Sequence, residues 1–366
     1  MMLGNAIRGV LVSAKEFWRF TRMEVPCGDT LKVFYGVDHV PGINEKVAGG
    51  IIKCQDLARE FPNSPDAANL LYLVSSALPM QATFIAKMAK KAGIKVVVNQ
   101  NGVAYPAWHG DGWEKTNVPL RLLVQSADYV LYQSQFCKLA ADHFLGPCRG
   151  GWEVLYNPVD TEYFRPGPPF SLDPVVLVQA GTHNRFYRVE TAIHTLHELA
   201  KRGVNARLLL AGRYNWRDRE PDAIMEIEEL ARTLGVLHLL ERRGGYTQGE
   251  AVSLFRSAHI LLHTQYNDSC PRLVVEAMAC GLPVVYSASG GVPELVGSSG
   301  GEGASAPLDW EKIQPPDPGE LADCVMRIIS NYEWYAEGAR KRATEYFDIK
   351  SWMKRHRDVF ENLVKA

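Results

Sequence analysis

Short apolar runs suited to strands alternate with runs of helical spacing, and the alternation occurs twice along the chain. In the first series Leu31–Tyr35, Leu70–Val74, Ile94–Val98 and Tyr129–Tyr132 read as strands. Helical patterns lie between them: from Ile51 after Gly49-Gly50, over about 80–92 and over about 117–125. In the second series Val175–Val178, 207–211, Ala258–His263 and Pro283–Ser287 read as strands, with helices over 189–201, 222–234 and 272–280. Strands alternating with helices imply parallel sheets joined by crossover helices. Between the two series lie Pro158, Pro166, Gly167, Pro168 and Pro169, the composition of a linker. At 366 residues the chain is long for a single core. The expected division is an extension over 1–30, an α/β domain over 31–156, a linker over 157–170, a second α/β domain over 171–330 and helices over 331–366. A Gly- and Ser-rich stretch, 297–306, reads as a loop.

Composition narrows the function classes. Lys+Arg is 40 against Asp+Glu 41, so the basic excess of a nucleic-acid binder is missing. Seven cysteines are scattered without a C-x-x-C pair, which reads as free thiols in a reducing compartment. No apolar run reaches the roughly 18 residues of a spanning helix, and Val10–Ala14 is too short for a signal peptide core. These features point to a soluble cytoplasmic protein. Residues 5–22 read as an amphipathic helix, with Ile7, Val10, Leu11, Ala14, Phe17, Trp18 and Thr21 on one face and Arg8, Lys15, Arg19 and Arg22 on the other. Such a helix suits the inner face of an anionic membrane; the alternative is packing on its own domain or on a second subunit.

The segment 258–297, AHILLHTQYNDSCPRLVVEAMACGLPVVYSASGGVPELVG, carries the chemistry. A strand ends near Thr264, and a polar loop from Gln265 to Cys270 leads to Pro271, suited to the first helical position. Gly281 suits the residue just past the helix end. The loop is then a helix N-terminus at the carboxyl end of a parallel strand, a place that favours anions and polyhydroxy ligands. Asp268 sits in this mouth. Glu276 lies inside a helix that is otherwise apolar around it, where a carboxylate needs a partner. It could accept the two vicinal hydroxyls of a ribose.

This segment resembles the C-terminal signature of glycosyltransferase family 4, the retaining GT-B enzymes that use nucleotide sugars. The resemblance rests on Asp268-x7-Glu276, EAMACGLPVV, and Gly290-Gly291-Val292-Pro293-Glu294. Gly49-Gly50 resembles the family's N-terminal glycine loop, Ala127-Asp128-Tyr129 through Ser134 its "AD-apolar-S" strand, and Asn157-Pro158-Val159-Asp160 with Phe164 its linker motif. In the right order these motifs cover roughly residues 31–300. The resemblance implies an α/β fold of GT-B type: two Rossmann-like domains with parallel sheets facing across a cleft. The first would take the acceptor, a glycan or lipid-linked saccharide, and the second the nucleotide-sugar donor. The last helix, around Phe347–Lys365, would cross back to the first domain.

A departing nucleoside diphosphate needs its charge stabilised. No convincing D-x-D metal motif is present, so fixed cations are expected to supply this, with no metal and no cofactor beyond the donor itself. Where the family keeps an Arg and, six residues on, a Lys, this chain has Thr182 and Arg188; Arg185 could supply the missing charge. The resemblance further implies that Asp268 binds donor-sugar hydroxyls with backbone N–H groups of 269–272. Thr182, Ser269, Cys270, Arg272 and Leu273 line the donor site, and Glu276 binds the ribose. Gly49 and Gly50 would let the backbone approach a phosphate. Asn101 stands where the family often has His, and His109 is a local substitute. Retention would proceed by front-face substitution, a leaving phosphate oxygen helping to deprotonate the acceptor. The family usually has Glu at 268, and the shorter Asp bears on sugar selectivity.

Tyr105, Trp108 and Trp113, in the loop 99–117, could stack on sugars or simply be buried. No G-x-G-x-x-G or Walker sequence is present. The pairs His194/His197 and His259/His263 lack an obvious third metal ligand. Two other readings stay open: a sugar- or nucleotide-binding homologue that has lost transfer, and another GT-B nucleotide-sugar enzyme such as an epimerase.

Overall fold

The computed structural model describes residues 2–365 except 27–29, 43–44 and 46–48, with side chains from residue 11 onward. The chain forms two compact units, Met1–Leu155 with Lys350–Ala366, and Tyr156–Ile349.

The first unit opens with α1 (Met2–Arg22), β1 (Val33–Phe34), α2 (Ile51–Ala58), β2 (Leu70–Val74) and α3 (Ala82–Lys91). It continues with β3 (Lys95–Gln100), α4 (Pro106–His109), α5 (Trp113–Ser126), β4 (Tyr129–Tyr132), α6 (Gln135–Leu145) and β5 (Gly151–Val154). All five strands are parallel, in spatial order β1-β2-β3-β4-β5. The strand runs LLYLV and VVVNQ are buried throughout, as expected of a sheet covered on both faces.

The expected loop over 99–117 contains α4 and the start of α5. Gly110 and Gly112, both at positive φ, make the break between these two helices. Tyr105 is buried and stacks on Phe144, so it belongs to the core. Trp113 meets the same ring edge-on, and only Trp108 is exposed. His109 contacts the Thr116 hydroxyl.

The second unit holds β6 (Val175–His183), α7 (Phe186–Lys201), β7 (Ala206–Tyr214), α8 (Glu220–Thr233), β8 (Leu240–Arg243), α9 (Gln248–Arg256) and β9 (Ile260–His263). These are followed by α10 (Arg272–Ala279), β10 (Val284–Ala288), α11 (Val292–Val296), β11 (Gly301–Ser305), α12 (Pro318–Ser330) and α13 (Tyr332–Tyr346). Its six parallel strands run β11-β10-β9-β6-β7-β8. Alternate strand residues feed two cores: Val178, Ala180, Leu261 and Val284 pack with α9, α10, α11 and α13. Leu177, Leu208, Ile260 and Val285 pack with α7, α8 and α12. The order reverses at the β6–β9 pair, the switch point at which open parallel sheets bind ligands.

Three sequence expectations change. Residues 301–305, read as loop, form β11; Gly301 and Gly303 are required there because a Cβ would meet the Val284 carbonyl at 1.9 Å or the Tyr286 ring at 2.9 Å. The stretch 157–170 is no free tether, since Val159 and Phe164 are buried in the second unit. Pro271 is the N-cap of α10 rather than its first helical residue, its ψ of 118° being extended. Residues 350–365 of the last helix, α14 (Ile349–Lys365), belong to the first unit, where His356 and Phe360 pack on Tyr72. Among the described residues no helix is long and apolar enough to cross a membrane. The six described cysteines are free; Cys27 lies outside the described residues.

Candidate functional site

The second unit gathers most of the expected residues at the carboxyl ends of β6 and β9. Gly181, at φ +105°, lies two residues before the end of β6 and faces the first turn of α10, where a Cβ would lie 3.5 Å from Leu273. Thr182 is exposed, and its carbonyl accepts a 2.8 Å bond from Arg188 Nη1. Arg185 is exposed at the N-cap of α7.

Arg188 is only 5% exposed. Its backbone is locked by Gln179 Nε2 and Thr264 Oγ1, each donating to the Arg188 carbonyl at 2.7 Å. Its Nε is buried without a hydrogen-bond partner among the described residues. Burial opposes the guanidinium charge, while the nearby Asp268 carboxylate favours it. A buried cation with an unsatisfied donor is a poor contributor to stability and a ready receptor for an anion.

Asp268 accepts from His263 Nε2 at 3.1 Å, and His263 is buried at the end of β9. Its backbone is cradled by the second glycine motif. Gly291 N–H donates to the Asp268 carbonyl at 2.8 Å, and a Cβ on Gly290 would stand 2.4 Å from that oxygen. Between strand and site, Asn267 adopts φ +51° and donates its N–H to Ser289 Oγ at 2.8 Å. Asn tolerates this left-handed turn better than most side chains.

Glu276 is buried on α10, with Arg272 Nε donating to its Oε1 at 3.1 Å. The partner that burial demanded thus comes from one turn earlier in the same helix. Cys270 is buried, and its carbonyl takes a 2.6 Å bond from Asn157 Nδ2, pinning the loop before α10. Ser269 and Leu273 are half-buried beside it.

Asn101, Gly49 and Gly50 lie in the first unit. Gly49 turns at φ +59° with open space where a Cβ would be, whereas a Cβ on Gly50 would meet Ser76 Oγ at 2.5 Å. Close packing therefore explains Gly50, and the left-handed turn at φ +59° explains Gly49. Asn101 is held by Ser75 Oγ, which accepts from its N–H at 2.8 Å, and by Ser76.

Sequence reasoning missed Lys53, which is 6% exposed on α2 and donates to Asn99 Oδ1 at 2.7 Å and Asn101 Oδ1 at 3.2 Å. Its signal was a lysine four residues after Gly49, among apolar neighbours. Asn99 leads on to Tyr72, whose hydroxyl lies 3.1 Å from His356 Nε2. His356 Nδ1 lies 2.9 Å from the Trp352 carbonyl, so Nδ1 carries the proton and Tyr72 donates. Burial pushes His356 down to about 3. His183, buried beside Arg188, is also pushed down to about 3, first by burial and then by that charge. His263 serves Asp268 while His259 Nδ1 accepts from Val176 N–H, so this pair divides between two tasks.

Arg185 and Arg188 thus stand at the switch point of an open parallel sheet, the place where such sheets bind ligands, and comparison with known proteins makes the class definite. The family model described as "Glycosyl transferases group 1" matches residues 160–346, and the chain belongs to that family. A D-inositol 3-phosphate glycosyltransferase of Nocardiopsis dassonvillei is 26% identical over 382 residues, covering 95% of this chain and 84% of the relative. The protein of the same name from Frankia alni is 27% identical over 210 residues, covering 53% of this chain and 49% of the relative. With that relative and the gpi3 subunit of a phosphatidylinositol N-acetylglucosaminyltransferase from Schizosaccharomyces pombe, the match spans about half the relative's length. Among solved structures, Anabaena HepE in complex with UDP superposes with TM-score 0.65 at 19% identity, over 85% of this chain and 81% of that one. Sucrose-phosphate synthase from Thermosynechococcus elongatus gives 0.66 at 16%, over 81% and 74%. The fold is GT-B.

Proposed function

We propose that this chain transfers a hexose-type sugar from a nucleoside-diphosphate sugar to a hydroxyl of a glycan or lipid-linked saccharide, with retention and without a metal ion. The observation that carries the reading is Arg188, a buried guanidinium with an unbonded Nε at the ligand end of the second sheet. A diphosphate would satisfy that donor and neutralise that charge. The names of the relatives, and the UDP held by HepE, support the same donor class.

In the reaction, the acceptor oxygen bonds to the anomeric carbon as the carbon–oxygen bond to the phosphate breaks. The nucleoside diphosphate leaves with the electron pair, and the acceptor proton passes to a leaving phosphate oxygen. Arg188 and Arg185, with the N-termini of α7 and α10, meet the charge that develops. Asp268 Oδ2 is engaged by His263, and Oδ1 is the oxygen that would take a donor-sugar hydroxyl. Glu276, steadied by Arg272, accepts the ribose hydroxyls.

The test is a thermal-shift panel of UDP, GDP, ADP and dTDP and their sugars in the presence of a chelator. One base should stabilise the protein, and its sugar should then appear on an acceptor by mass spectrometry. Stabilisation by none, in a folded sample, refutes the reading; binding without transfer marks a binding homologue.

A further inference from the structure

The amphipathic helix α1 does not bury the face its sequence marks as apolar. Phe20 is buried against Phe34 of β1, and Glu16 is buried beside Arg19 at 3.3 Å. Asp38 takes ion pairs from both Lys15 and Arg19. The helix is thus fixed through its polar side, and Leu11, Phe17 and Trp18 are left 65%, 45% and 58% exposed. The side chains of Ile7, Arg8 and Val10 lie outside the described residues.

The neighbouring helix extends this surface. α1 covers β1 and touches α3, while α3 and α5 cover β2 and β3. Helices lying side by side on one sheet turn their outer sides the same way. On its outer side α3 shows Lys87, Lys90 and Lys91. A groove of about 670 Å³ runs between α3 and α5, lined by Phe84, Leu122 and Leu123 together with those lysines. α1 and α3 together carry seven Lys and Arg against one acid, the buried Glu16, in a chain whose net charge is -1. Asp38 and Asp128 offset part of this through Lys15, Arg19 and Lys90. Lys87 and Lys91 have no carboxylate partner among the described residues, and Arg22 stands 5.5 Å over the Trp18 ring.

We propose that the outer surface of α1 and α3 is a docking face for an anionic phospholipid bilayer. Leu11, Phe17 and Trp18 enter the headgroup boundary, and Arg22, Lys87 and Lys91 meet lipid phosphates. Exposed Trp and Phe flanked by cations match both halves of such an interface. A second copy of this chain fits less well, because a two-fold contact would set the cationic patch against itself.

The test uses the full chain in co-sedimentation with vesicles of phosphatidylcholine alone and of phosphatidylcholine with phosphatidylglycerol. Native protein should bind the mixed vesicles, bind neutral ones weakly, and lose affinity as salt rises. Arg22→Gln/Lys87→Gln/Lys91→Gln should weaken binding roughly fivefold per cation, roughly hundredfold in all. Leu11→Ser/Phe17→Ser/Trp18→Ser should weaken it roughly tenfold per side chain. All six positions are exposed, and circular dichroism confirms folding of both variants. Equal binding to both vesicle types, or variants that bind as the native chain does, overturns the proposal. So does a native dimer in light scattering that the serine variant dissolves, which would make this face a contact between copies.

Discussion

Arg188→Met separates a ligand-receiving cation from a structural one. The substitution removes the charge and all five N–H donors of the guanidinium while keeping an unbranched side chain of similar reach. In the ligand-free protein the loss is small. Nη1 gives up its bond to the Thr182 carbonyl, but Thr182 is exposed and water replaces the donor. In exchange, a buried charge with an unsatisfied Nε disappears, and Asp268, whose carboxylate favours that charge, is partly exposed and keeps its contact with His263, so it is not left as an uncompensated buried ion. The ligand-free melting temperature should therefore hold or rise. With ligand the balance reverses. Hydrogen bonds from a cation to phosphate contribute about 1.5–3 kcal/mol each, so a loss of about 2.7 kcal/mol weakens nucleoside-diphosphate binding roughly hundredfold. Ligand at 100 times the native dissociation constant stabilises the native chain by about 2.7 kcal/mol and the variant by about 0.4 kcal/mol. For a domain of this size that is a fall from roughly 8 °C to roughly 1 °C in the ligand-induced shift. Differential scanning fluorimetry reads both numbers. A variant that keeps the native ligand shift, or melts several degrees lower without ligand, refutes the argument.

Glu276→Gln keeps the shape and the bond from Arg272 but loses the charge offered to the ribose; calorimetry should show roughly tenfold weaker nucleoside-diphosphate binding, and unchanged affinity would remove that role. Asp268→Asn should keep nucleotide affinity and lose most product formation, as read by mass spectrometry, if its carboxylate serves the sugar alone. Gly290→Ala must place a Cβ 2.4 Å from the Asp268 carbonyl at φ +68°, so urea unfolding should show a loss of about 2 kcal/mol or more, with activity falling too. His356 is neutral in the folded state because burial pushes it down to about 3, while the unfolded chain takes up its proton near pH 6.5. The unfolded state binds more protons between these values. The first unit therefore keeps this stability above about pH 6.5 and loses about 1.4 kcal/mol per pH unit as pH falls toward 3. His356→Gln should flatten that slope in urea titrations at stepped pH.

Both parallel sheets were legible in the sequence because fully buried strands such as Leu70–Val74 are unbroken apolar runs, which few other elements produce. Of the four edge strands only β1 was read, within Leu31–Tyr35; β5, β8 and β11 were not. β11 is Gly-Glu-Gly-Ala-Ser, a composition typical of loops, and it is a strand only because its glycines let it approach Val284 and Tyr286. α1 shows a different limit. Helical spacing identifies which face is apolar, but burial is decided by what the neighbours offer. Here Asp38 and Phe34 hold the Arg19 and Phe20 side, so the apolar stripe faces outward.

The same distinction runs through the site. The partner of Glu276 follows from helical geometry, since Arg272 precedes it by four residues and must share its face. The partner of Asp268 does not. His263 lies five residues back on a strand, where no periodicity links the two, and their contact depends on the left-handed turn at Asn267. That turn is in its own right a product of packing. It is held by Ser289 from the loop after β10, and the chain can pass there only because Gly290 leaves room for the Asp268 carbonyl. The second glycine motif therefore acts at a distance in sequence: it shapes the backbone that delivers Asp268 to His263. A change at Gly290 should thus be felt at the donor sugar before it is felt at the nucleotide, because Arg188 and Glu276 are held by β6 and α10 and not by that loop.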